Sequence, residues 1–109
     1  MDVTPVLDTT KNSAPRFMDR LGKLCHTGHE VANYLFQVPD DESQWQRLQE
    51  IVDGILQEAS RTRHKELPRI AEEVRTALQR GTSMLVVEQA MTGFDRMIKI
   101  WKAARSGLF

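Results

Sequence analysis

The chain's 109 residues fill one domain and leave no room for a second core. Hydrophobic residues make up 40% and charged residues 28%, a globular balance rather than that of a disordered segment. Fifteen Lys plus Arg cancel fifteen Asp plus Glu, so no global field draws nucleic acid or an anionic membrane to the protein.

One cysteine, Cys25, excludes an internal disulfide and a four-cysteine zinc site. A lone thiol suits a reducing compartment. The longest aliphatic run, Met84-Leu85-Val86-Val87, is far short of the ~20 residues a membrane helix needs. Met1-Asp2-Val3-Thr4-Pro5 lacks the basic and apolar regions of a secretory signal. The expectation is a soluble, cytoplasmic protein.

Residues 1–14 are rich in Asp, Thr, Asn, Ser and Pro, show no apolar period and read as a flexible tail. The helical bundle domain is expected over residues 15–109. Its first helix spans about 14–37, where Phe17, Leu21, Leu24, Gly28, Val31 and Leu35 recur at three- and four-residue steps. Ser13 is a candidate cap, Pro15 fits the first turn, and Pro39 stops the helix.

The second helix is expected at about 42–62. Asp41 and Gln44 have capping-box spacing, and Trp45, Leu48, Val52, Ile55 and Ala59 form its stripe. Pro68 marks either a break or the first turn of a third helix, so two helices or one kinked rod both fit. The third spans about 67–80 along Leu67, Ile70, Ala71, Val74 and Leu78, with Gly81 as its terminator. Thr82 or Ser83 caps the fourth, at about 83–106. Its stripe runs through Val87, Ala90, Phe94, Met97, Trp101, Ala104 and Leu108. Met84, Met91 and Ile98 widen it to about 160°, enough to touch two neighbouring helices. No run alternates like a strand. These elements describe an all-α, antiparallel four-helix bundle, its core including Leu24, Leu48, Val74 and Phe94.

Catalytic signatures are absent: no glycine-rich phosphate loop, no nucleophile elbow, no His-Glu-x-x-His. Asp40-Asp41-Glu42 lacks calcium-loop spacing and suits the positive end of a helix dipole. Cys25 and His29, four apart, supply two soft ligands, fewer than a zinc site needs. With His26 they read as solvated histidines beside a half-buried thiol, so no metal and no cofactor is expected. Arg96, Lys99, Lys102 and Arg105 complement the negative end of the last helix.

His64 stands apart. On an extended second helix it would lie on the polar face, exposed, as a nucleophile near neutral pH. Arg61, Arg63 and Lys65 would hold a phosphate beside it. The stretch "ASRTRHKELPRIAEEVRTAL" (59–78), with the size and four helices, resembles the histidine-phosphotransfer domains of two-component signalling. That resemblance implies a phosphoacceptor at His64 and a receiver-type partner. Family members usually carry His-x-x-Lys-Gly, whereas Leu67 and Pro68 fill the last two positions here. His26 and His29 do not match the motif either. "His64-Lys65-Glu66-Leu67-Pro68" is also faintly similar to the phosphoacceptor box of sensor kinases.

Two functions from different classes follow. One is a signalling or adaptor bundle, phosphotransfer-like or degenerate, that docks a receiver domain. The other is a structural dimerisation or protein-interaction module without phosphoryl chemistry. Ile100, about 120° off the Phe94 stripe, and Leu108 and Phe109 at the chain's end mark an apolar contact patch. The fourth helix should overhang the shorter third around Trp101. The first helix is long enough to cover some of the excess, and a two-fold homodimer, or the tail of residues 1–14 folded back, would cover the rest. Neither reading makes the protein an enzyme.

Overall fold

Helix α1 (Arg16–Gln37) leads into α2 (Glu42–Ala59), α3 (Glu66–Gln79) and α4 (Met84–Arg105). These elements belong to a computed structural model that describes residues 16–106. The tail reading, the Ser13 cap, Pro15, Leu108 and Phe109 lie outside the described residues.

Local chemistry explains each boundary. Tyr34 in the last turn of α1 donates its hydroxyl to Asp41 Oδ2 at 2.7 Å. Asp41 Oδ1 in turn accepts the Gln44 N–H, so one carboxylate joins the end of α1 to the start of α2. The capping box is only half formed, since the Asp41 N–H goes to Val38 O instead. Helix α2 stops at Ala59 rather than near residue 62. Ser60 and Thr62 turn their hydroxyls back onto Gln57 O and Ala59 O, each at 2.8 Å. The backbone tightens into three-residue bonds from Arg61 N and Thr62 N. The second and third helices are therefore separate, and Pro68 falls in the first turn of α3, where its missing N–H costs nothing. Gly81 takes φ +140° after α3, a conformation closed to side-chain-bearing residues. Ser83 then caps α4 by accepting the Val86 N–H.

Short connections make sequential helices antiparallel neighbours. Helix α4 packs on both α1 and α3, as its wide stripe demands, and α2 packs on α1 and α3. Leu21, Leu35, Leu48, Ile55, Ile70 and Phe94 fill the centre at 0–1% exposure. Two contacts set the α1–α4 spacing. A Cβ on Gly28 would fall inside the Phe94 ring, and one on Gly22 inside the Trp101 indole. On the α3–α4 side, Val74 fills the place of a side chain at Gly93.

Two expectations about burial are corrected, and the cover of the α4 overhang is defined. Leu24 is half-buried rather than central, packed against the core from its edge and facing Gly54. Met84 is 38% exposed, so the stripe of α4 narrows at its first turn and Val86 is buried instead. The overhang of α4 beyond α3 is not bare. Helix α1 is as long as α4 and covers Trp101, which is 8% exposed. No helix of the described residues is long and apolar enough to cross a membrane.

Candidate functional site

His64 lies in the connection between α2 and α3, not on a helix face. It is half-buried rather than exposed, and its Nδ1 accepts the Glu66 N–H at 3.1 Å. An accepting Nδ1 puts the neutral ring's proton on Nε2. The imidazole thus satisfies one of the orphan donors at the start of α3, whose N-cap Lys65 makes no side-chain bond. Thr62 Oγ1 also donates to His64 O.

The basic residues around it are exposed. Arg61 pairs with Glu58 at 3.6 Å, and Glu58 also receives a two-pronged pair from Arg20, at 3.1 and 3.2 Å. That Arg20 bond holds the Glu58 carboxyl below the usual carboxylate range. Ile100 is half-buried against the core rather than free on the surface. Phe109 lies outside the described residues.

The Cys25–His26–His29 group does not converge. Cys25 is fully buried, not half-buried, and burial pushes its thiol up to about 12. His26 Nδ1 donates to Gly22 O at 2.7 Å, while its ring meets Trp101 edge-on. His29 Nδ1 accepts from Asn33. Among the described residues no three His, Cys, Asp or Glu side chains are placed to share a metal ion.

Sequence reasoning missed a different surface. The large hydrophobic side chains exposed among the described residues are Tyr34, Phe36, Val38, Met84 and Leu85. All five belong to the end of the bundle where α1 turns into α2 and α3 turns into α4. Leu85, 63% exposed, also lines an open groove between α3 and α4 over Ile70, Val74, Ala77 and Gly93. The signal was legible: at 100° per residue Leu85 stands opposite Phe94, and Tyr34 and Phe36 flank the buried Leu35 on either side.

Charge is segregated along the same axis. Residues 16–26, 51–72 and 95–106 form the half with the α2–α3 connection, and carry eleven Lys or Arg against six Asp or Glu. Residues 27–50 and 73–94 form the other half, with three against seven. A neutral chain has thus folded into a basic end and an acidic end. The exposed apolar side chains are at the acidic end, whereas Arg61, Arg63, Lys65 and Ile100 belong to the basic one.

Comparison of the chain with protein-family models, with curated proteins and with solved structures finds no match.

Proposed function

We propose that this protein is a non-enzymatic adaptor bundle that docks a protein partner through its acidic end. The observation that carries this reading is the gathering of Tyr34, Phe36, Val38, Met84 and Leu85 at that one end. Single exposed apolar residues are ordinary, but a group bordered by charge is the form of an interaction surface. Burying such side chains against a partner supplies on the order of 25 cal/mol per Å². Phosphoryl relay through His64 has less support. Its Nδ1 is engaged by the backbone, and the Lys-Gly pair of phosphotransfer domains is replaced by Leu67 and Pro68.

Site-specific photocrosslinking in the host cell tests the reading. A photoreactive residue at Phe36 or Leu85 should give one discrete adduct, and the same residue at Arg63 or Glu50 should not. Equal adducts at all four positions, or none at Phe36 and Leu85, would overturn it. Mixing with phosphorylated receiver domains should leave no acid-labile phosphate on the chain; transfer to His64 would restore the relay.

A further inference from the structure

Resting on the docking reading above, we infer that the acidic end receives a basic amphipathic helix from its partner. The apolar side chains there are bordered by Asp40, Glu42 and Glu88, all exposed. None of these three makes an ion pair among the described residues. The acids with Arg partners are Asp19, Asp53, Glu58, Glu66, Glu72 and Glu73, all but Glu73 in the basic half. Glu30 and Glu50 of the acidic half also make no ion pair among the described residues. An apolar centre with an unpaired acidic border is complementary to a helix with one apolar face and Lys or Arg along its edges.

The same charge pattern disfavours a second copy as the occupant. A two-fold contact through the apolar end sets Asp40, Glu42 and Glu88 against their own counterparts, and like charges repel. A head-to-tail contact satisfies charge, but the basic end offers no matching group of exposed large hydrophobics among the described residues. A basic helix satisfies both demands at once. Leu85 and the apolar floor behind it, Val74, Ala77 and Gly93, give such a helix a seat between α3 and α4. Arg69, Arg80 and Arg96 line the groove there beside Glu72, Glu73 and Glu88, and leave Glu88 as the acid nearest Leu85 in the chain.

The test uses the full chain and two synthetic 18-residue helical peptides, one of Leu and Lys, the other of Leu and Glu in the same pattern. Amide shifts in NMR titrations locate each peptide. The Lys peptide should move residues 34–45 and 80–89, and should bind at least tenfold more tightly than the Glu peptide. Raising salt to 0.5 M should weaken it severalfold by screening the border acids. The F36Q/L85Q variant should lose binding tenfold or more. The D40N/E88Q variant should lose affinity and most of the salt dependence, with both variants' folds confirmed by their amide spectra. Preference for the Glu peptide, absence of binding by the Lys peptide, or its binding at the basic end would overturn the basic-helix inference. The adduct at Leu85 reports on the docking reading independently of any of these results.

Discussion

Trp101 occupies the space that a side chain at Gly22, far earlier in the chain, would need. Its indole Nε1 donates to Met18 O at 2.7 Å, and the Arg105 guanidinium lies 5.3 Å from its ring centroid, within cation–π range. The pair packs α4 closely against α1 at the basic end of the bundle.

Gly22→Ala should therefore destabilise the protein by about 1–3 kcal/mol, despite alanine's advantage of roughly 1 kcal/mol in a helix. A new Cβ has nowhere to go, because the indole is fixed by its hydrogen bond. Gly54→Ala is the contrasting case. There the nearest atom is Leu24 Cδ1 at 3.3 Å, the movable tip of a half-buried side chain. We expect a gain of about 0.5–1 kcal/mol. Urea denaturation of both variants checks the pair; equal signs would contradict the packing described.

Phe94 is fully buried at the centre of α4 and rests on Gly28. Phe94→Ala should cost about 3–5 kcal/mol through the cavity it leaves. Leu85→Ala, nine residues earlier and exposed, should change stability by less than about 0.5 kcal/mol. Denaturation midpoints that fell equally for both would mean that Leu85 is part of the core.

The buried Cys25 thiol makes stability depend on alkaline pH. Its folded value, about 12, is raised from the ordinary 9.0, so the fold favours the protonated form. This contribution is complete below about pH 9 and is lost as pH rises toward 12, amounting to roughly 4 kcal/mol over the interval. Cys25→Ala should lack this part of the alkaline decline in denaturation curves. In the native protein the thiol should resist a disulfide reagent at pH 8 and react once urea unfolds the chain.

His64 carries a prediction about side-chain shape. Asparagine can place Oδ1 near the position of the imidazole Nδ1, whereas glutamine extends one bond further. His64→Asn should keep the bond to the Glu66 N–H. His64→Gln and His64→Ala should each lose about 0.5–1.5 kcal/mol. Thermal unfolding and amide exchange at Glu66 distinguish the three. Equal stability for Asn, Gln and Ala would show that the bond contributes nothing.

Periodicity alone determined the four helices, their order and most of the buried stripe, because apolar residues three and four apart must share one face. The cap at Asp41 and the terminator Gly81 were equally legible, and the cap of α4 was narrowed to Thr82 or Ser83, since each depends on chemistry within a few residues. The end of α2 was not. Hydroxyls at Ser60 and Thr62 fold back onto carbonyls of its last turn, and His64 lies in the connection beyond rather than on a helix face. Burial at the helix edges also needed the neighbours: Trp101 is covered because α1 runs alongside it, and Leu85 is bare because nothing among the described residues does. The composition established that charge sums to zero, but a sum carries no positions. Only antiparallel packing, which brings residues from four separate stretches to each end, turned that neutral chain into one with a basic end and an acidic, apolar one.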